Sequence, residues 1–194
     1  KNTKLKDNNN NTVITNDAEY NENLQIFKTI GFTKIITAEN YIIESSDIIL
    51  NKNSDSIISK KNTVIKDEEK NIINLENFDY QKENKIFKSI GLIRIKDKYN
   101  NTYNFSQIYI DTQKGEILGS DVSSFLNDEK FKVDIKNNPR VMANTFTSNK
   151  NTSSFTKSIF TLCGFRKNKN GEDVCPPWTI QASKMLRDNK KKTI

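Results

Sequence analysis

The sequence lacks the side chain that most often carries acid–base and metal chemistry. Histidine is absent from its 194 residues. This removes the commonest general base, the commonest metal ligand and every Ser-His or Cys-His nucleophile pair. Serine–lysine chemistry needs no histidine, but no spacing in this chain points to it. We therefore expect a non-enzymatic protein with no cofactor and no metal ion.

The two cysteines, Cys163 and Cys175, flank a short polar loop. Two thiols are too few for a tetrahedral zinc site without histidine. A disulfide that closes the loop is favoured over two free thiols. Such a bond indicates an oxidising compartment such as the periplasm.

The charge balance is basic, with a net charge of +7. Basic proteins bind nucleic acids, anionic membranes or anionic ligands. Here the lysines are scattered among aspartates and glutamates, and only residues 190–192 form a tight run. Neither an arginine-rich stripe nor interleaved stacking aromatics accompany them, so we expect no nucleic-acid partner.

Short apolar runs rich in Ile and Val alternate with polar turns along most of the chain. Residues of these types suit a pleated, half-buried surface, and runs at this spacing predict an all-β sandwich, roll or solenoid. The predicted strands are 33–37, 41–50, 56–59, 63–66, 71–80, 85–96, 102–110, 116–125, 130–135, 140–146, 158–162 and 178–182.

An internal echo supports a repeated architecture. The hexapeptide at 26–31, Ile-Phe-Lys-Thr-Ile-Gly, recurs at 86–91 as Ile-Phe-Lys-Ser-Ile-Gly. Each copy is followed by a strand, a polar break and a further apolar run. Stacked β-layers built by duplication are the expected result.

Apolar side chains fall on both faces of several predicted strands, as in 47–50 and 106–110. A sheet with one wet face shows polar residues at alternate positions instead. The pattern suits either a packed sandwich or a sheet whose inner face holds an apolar ligand. The small number of bulky residues favours an incompletely filled interior.

The C-terminal segment carries the most specific pattern. Cysteines flank a polar loop, a Pro-Pro-Trp sequence follows, and a charged turn leads into a further strand. The positions that carry the pattern are Cys163, Cys175, Trp178, Ala182, Asp188 and Ile194. This segment resembles the LptD family of outer-membrane lipopolysaccharide-assembly proteins. Residues 24–146 resemble the β-roll repeats shared by LptD, LptA and LptC, on cues at 41–43, 47–48, 105 and 111. No cysteine precedes Cys163, whereas some family members have one near the mature N-terminus.

The resemblance implies an open, twisted β-jellyroll (a β-taco) of stacked antiparallel strands, lying in the periplasm at the outer membrane. It also implies that the cysteines can pair with partners at the far end of a barrel. The expected organisation is a flexible segment at 1–22, a β-jellyroll at 23–160, and a cysteine-containing linker at 161–194 leading to a C-terminal barrel absent from this chain. Acyl chains of lipopolysaccharide are expected in a trough lined by Ile43, Ile48, Leu50, Ile57, Val64, Phe105, Ile108, Ile110, Ile117 and Val122.

Two protein partners follow from the same resemblance. An LptA-like bridge protein would add a strand to an open sheet edge, and 24–37 is the predicted edge. An LptE-like lipoprotein would bind through the barrel. Two alternatives stay open: an LptA-like soluble periplasmic shuttle, and a repetitive surface protein such as an adhesin or glycan-binding module. The last would use the exposed tyrosines among Tyr41, Tyr80, Tyr99, Tyr103 and Tyr109.

Overall fold

A computed structural model describes residues 3–8, 10–127, 139–162, 166–174 and 178–191. All regular secondary structure in these ranges is β-strand, so the predicted all-β class is confirmed. The fold is an open, twisted β-jellyroll of antiparallel strands. The strands are β1 (Thr3–Lys6), β2 (Thr12–Asn21), β3 (Ile26–Ile36), β4 (Ile42–Ser46), β5 (Ile49–Asn51), β6 (Ser56–Ser59), β7 (Thr63–Lys66), β8 (Ile72–Leu75), β9 (Phe78–Gln81), β10 (Ile86–Lys96), β11 (Thr102–Asp111), β12 (Glu116–Phe125), β13 (Arg140–Ser148), β14 (Thr152–Thr161), β15 (Arg166–Lys167), β16 (Asp173–Val174) and β17 (Ile180–Asp188).

The chain runs back and forth with a regular period. A residue with positive φ closes a turn at every fifteenth position. Asn, Asp and Gly adopt this backbone conformation most readily. These turn residues are Asn10, Gln25, Asn40, Asp55, Lys70, Lys85, Asn100 and Gly115. Two turns make one hairpin repeat of 30 residues. The hexapeptide echo belongs to this repeat, because its copies begin β3 and β10 at equivalent positions.

Three turns at one end of the hairpins share an Asp–Asn pair, and the turn at 37–41 has Thr37 in place of the aspartate. The Asp97 carboxylate accepts hydrogen bonds from the backbone N of Asn101 at 2.9 Å and from its side-chain amide at 2.6 Å. The same pairing recurs at Asp67–Asn71 and Asp7–Asn11. Asn101 Oδ1 also accepts from the backbone N of Asn127 at 2.7 Å. These side chains therefore close each turn and tie it to the next repeat.

Each long strand bends near its middle, so the sheet folds along a crease into two layers. The strand segments at the end of the hairpins that carries these turns, including the turn at 37–41, form layer A, and the opposite segments form layer B. Two strands bend at glycines in the left-handed region, Gly31 (φ 73°) and Gly91 (φ 114°). Other strands are interrupted at Asp47, at 60–62 and at 76–77. Side chains of the two layers meet: the rings of Phe105 in layer A and Phe146 in layer B lie 5.5 Å apart.

An apolar cluster fills the space between the layers in the C-terminal two thirds of the fold. Its buried members are Ile65, Leu75, Phe78, Phe87, Ile93, Phe105, Ile108, Val122, Leu126, Val141, Ala143, Phe146, Phe155 and Met185. Nearer the N-terminus the crease is lined by buried hydroxyls instead. Thr33 donates to Thr29 at 2.8 Å, and the Ser45 hydroxyl lies 2.9 Å from that of Ser59 and 2.8 Å from that of Thr63. Mutual hydrogen bonds make the burial of these hydroxyls tolerable.

The sheet edges differ from those expected. The predicted edge at 24–37 is wrong, because β3 pairs with β2 on one side and with β4 and β5 on the other. The N-terminal edge is β1 in layer A and the Asp17–Asn21 part of β2 in layer B. β1 and β2 lie within 1–22, which the sequence predicted as flexible. At the other end, β17 pairs with β14 alone among the described strands. The predicted strand at 130–135 lies outside the described residues.

Candidate functional site

Two rows of inward-facing side chains form the mouth of a trough between the layers. Register pairs connect the layer A row through Leu5, Val13, Ile35, Ile43, Ile65, Ile73, Ile95 and Tyr103. The facing row in layer B runs through Tyr20, Phe27, Leu50, Ile57, Tyr80, Phe87, Ile110 and Ile117. Every one of these side chains is aliphatic or aromatic, and most are only half-buried. The mouth is thus an apolar band open to solvent.

The ten side chains that the sequence predicted for the trough occupy three kinds of position. Ile43, Leu50, Ile57, Ile110 and Ile117 belong to the two mouth rows. Four others lie deeper, buried near the crease: Ile48, Phe105, Ile108 and Val122.

Val64 does not line the trough. It lies on the outer face of β7, in register with Glu44 and Asn74. Its neighbour Ile65 takes the inward position, because successive side chains of a strand point to opposite faces. Both residues are β-branched and apolar, so their types alone did not distinguish the two faces.

The remaining lining residues were missed, although the sequence contains a signal for them. Lining positions repeat every 30 residues in four series, and each series holds only apolar or aromatic side chains. The series are Leu5–Ile35–Ile65–Ile95, Val13–Ile43–Ile73–Tyr103, Tyr20–Leu50–Tyr80–Ile110 and Phe27–Ile57–Phe87–Ile117. Aligning the chain to itself with a shift of 30 residues, half the spacing of the echo, would have identified both rows.

The trough changes character along its length. At the N-terminal end, Leu5 and Tyr20 are 39% and 49% exposed, and the crease behind them carries small hydroxyl side chains. At the C-terminal end, Phe146 and Phe155 fill the interior with their rings 5.0 Å apart. Space for an apolar ligand is therefore greatest toward the N-terminal edge.

Polar groups appear at the C-terminal end of the mouth. Layer B continues beyond Ile117 through Ser148 and Ser153 to Arg187. Arg187 Nη1 donates to the hydroxyl of Tyr103 in the opposite layer at 3.0 Å. This bond joins residues 84 positions apart and bridges the two layers. Burial raises the pKa of Tyr103 above its ordinary value, although the neighbouring Arg187 acts in the opposite direction.

Ionisation of the Tyr103 hydroxyl is expected to destabilise the fold at alkaline pH. Because folding raises its pKa, the folded chain holds the phenolic proton more tightly than the unfolded chain. The resulting stability is present below pH 10 and is lost as the pH rises through the pKa of the folded state. We expect urea denaturation between pH 8 and 11 to show a steeper alkaline loss of stability for the wild type than for Tyr103→Phe. Equal slopes for the two proteins would contradict this assignment.

The tyrosines considered for glycan binding do not form one surface. Tyr80 and Tyr103 point into the trough, whereas Tyr109 lies on the outer face of β11 beneath the Lys88 ammonium, which is 5.6 Å from its ring. Tyr41 and Tyr99 are exposed at turns of different hairpins. The observed arrangement therefore does not favour a glycan-binding platform.

Other surface features offer less chemistry. One open depression of about 440 Å³ lies at the rim of layer B, lined by Tyr109 and Leu118 on the outer face and by Ile117 and Ser148 of the mouth. Another of about 490 Å³ lies outside the crease at Asp47 and 60–62. The described residues contain no group of three His, Cys, Asp or Glu side chains placed to hold a metal ion. Within the same ranges, no helix is long and apolar enough to cross a membrane.

Cys163 and Cys175 lie outside the described residues, so their pairing stays a prediction.

The fold and its trough together define a class: an all-β protein with an apolar interior that is open along one side. No family model and no curated protein matches the chain significantly in sequence.

Proposed function

We propose that this chain is the periplasmic part of a non-enzymatic system that carries lipopolysaccharide to the outer membrane. The observation that supports the proposal best is the pair of apolar mouth rows, repeated every 30 residues across four hairpin repeats. A closed sandwich would bury such rows completely, whereas most of these side chains are half-exposed. The resemblance of 161–194 to the LptD family supports the same conclusion.

Acyl chains suit the trough energetically. Each buried methylene contributes about 0.8 kcal/mol, so a chain segment of moderate length binds firmly without specific polar contacts. Binding of this kind does not select a fixed position along the trough. A lipid can therefore move along the rows, which transport requires, while its sugars stay in water.

The proposed partners fit the edges of the sheet. An LptA-like bridge protein would add its strand beside β1 and β2, whose outer sides have no strand neighbour among the described residues. The two mouth rows begin at this edge with Leu5 and Tyr20, so the added strands would extend the trough. An LptE-like lipoprotein would act through a barrel that follows the linker. An LptA-like soluble shuttle would use the same trough without the barrel.

Site-specific photo-crosslinking to purified lipopolysaccharide tests the proposal with matched neighbours on the same strands. A benzophenone side chain would replace inward Ile43 or Ile110, and outward Glu44 or Tyr109 would serve as controls. We expect adducts at the inward positions at least about tenfold above those at their neighbours, because only the inward probes contact a buried chain. Equal yields on both faces, or no adducts with a folded protein, would reject the trough as a lipid site.

A further inference from the structure

The layer B mouth row ends differently from the way it begins. Eight apolar or aromatic side chains in register, from Tyr20 to Ile117, are followed by Ser148, Ser153 and Arg187. The two serine hydroxyls lie 2.8 Å apart, and Ser153 also donates to Asn189 Oδ1 at 2.9 Å. The trough is therefore amphipathic along its length, with its polar groups at one end.

Arg187 is the charged member of this polar end. It shares the inward face of β17 with buried Met185 and is itself half-buried. Its hydrogen-bond partner is the neutral Tyr103 hydroxyl, and within the described ranges no carboxylate lies within 4.0 Å of it. A partly desolvated guanidinium without a carboxylate attracts an anion strongly, and its planar array of donors matches a phosphate.

We infer that Arg187 binds the phosphate headgroup of an amphiphile whose hydrocarbon chain lies in the trough. The inference rests on the proposed function and assigns a residue to the headgroup. Tyr103 is the positioning residue, since its hydroxyl holds the guanidinium at the mouth between the layers. Half-buried Ser148 supplies polar surface beside the guanidinium, and the buried Ser153 hydroxyl lies 2.8 Å from the Ser148 hydroxyl. A headgroup bound here places the attached chain against Ile117 and Ile110, the next positions along the row.

The chain contains a natural reporter for this end of the trough. Trp178 is its single tryptophan, and its ring centroid lies 6.3 Å from that of Phe160. Phe160 continues the layer A row beyond Tyr103, through Ser124 and Val141, and is in register with Ile180. A brominated hydrocarbon chain bound at this end of the trough would therefore quench the fluorescence of Trp178, whereas a chain farther along the rows would not.

The test titrates the full chain with two brominated amphiphiles below their micelle concentrations, a single-chain alkyl phosphate and an alkyl maltoside with the same chain. Arg187→Gln is expected to weaken the alkyl phosphate about tenfold and to leave the maltoside unchanged, because a hydrogen bond to a charged group is lost. Arg187→Lys keeps the charge but loses the planar array of donors, so its affinity for the alkyl phosphate is expected to lie between those of Arg187→Gln and the wild type. Lys184→Gln is the matched control: it removes one positive charge from an exposed, outward position of β17 and should change neither affinity.

Equal weakening of both amphiphiles by Arg187→Gln, or equal weakening of the phosphate by Lys184→Gln, would overturn the headgroup assignment and leave the trough intact. If calorimetric titration as well as Trp178 quenching detects no binding of either amphiphile to the wild type, the proposed function fails together with the inference. Inorganic phosphate distinguishes a headgroup from the free ion. We expect it to compete only at concentrations far above those of the alkyl phosphate, and equal potency would overturn the amphiphile as the ligand.

Discussion

Replacing Phe155 with alanine is expected to lower the free energy of unfolding by about 3–5 kcal/mol, the range typical of a buried aromatic side chain. Phe155 is 1% exposed and lies on β14, where it points between the layers. Its ring contacts that of Phe146, which in turn contacts Phe105 from the opposite layer. The substitution leaves a cavity where the two layers meet, and urea denaturation monitored by circular dichroism measures the loss.

Ile159→Ala is the control on the same strand. Ile159 is 39% exposed and lies in register with Met142 on the outer face. Its removal is expected to change stability by no more than about 0.5 kcal/mol. A comparable loss in both variants would mean that the space between the layers is not the core of the protein.

Replacing Gly91 with alanine is expected to be the second most damaging change, at about 2–4 kcal/mol. Gly91 has a φ of 114°, a conformation that side chains disfavour, and a Cβ atom here would run into the Glu76 carboxylate. That carboxylate accepts a hydrogen bond from the backbone N of Leu92 at 3.1 Å, so it cannot move without loss. Backbone strain contributes about 1–2 kcal/mol, and loss of the hydrogen bond to the charged Glu76 carboxylate contributes about 1–2 kcal/mol more.

Gly115→Ala separates these two contributions. Gly115 also has a positive φ, 67°, but a Cβ atom there would meet nothing within 4 Å. Only the backbone strain remains, so we expect a loss of about 1–2 kcal/mol. The same denaturation experiment compares the two variants. A loss at Gly91 no greater than that at Gly115 would show that the contact with Glu76 contributes nothing to the bend.

These two substitutions probe different requirements of the trough. Phe155 belongs to the filled end, where packing between the layers holds the jellyroll together. Gly91 belongs to the crease, where the strand must bend for two layers to form at all. Because the mouth rows are half-exposed, substitutions there should affect binding more than stability. Core and trough are therefore experimentally separable.

Local sequence determined many of the strands and turns of this protein, although not β1 and β2. The predicted runs 56–59, 63–66 and 116–125 coincide with β6, β7 and β12. The reason is local: β-branched runs favour extended backbone, and Asp, Asn and Gly favour the turns that separate them. The echo at 26–31 and 86–91 likewise marks a structural repeat, because the two similar hexapeptides begin equivalent strands, β3 and β10.

Only the tertiary structure decided which side of each strand faces the trough, which strands form the edges, and which distant residues meet. Val64 and Ile65 are equally apolar, and the pairing of β7 with β4 and β8 places one outside and the other inside. β3 resembles an edge in sequence but gains a neighbour because β2 folds back onto it. Tyr103 and Arg187 meet because the crease brings the two layers face to face. Secondary-structure propensity depends on residues that are adjacent in sequence. Strand pairing, and the face of the sheet on which a side chain lies, depend on segments far apart in the chain.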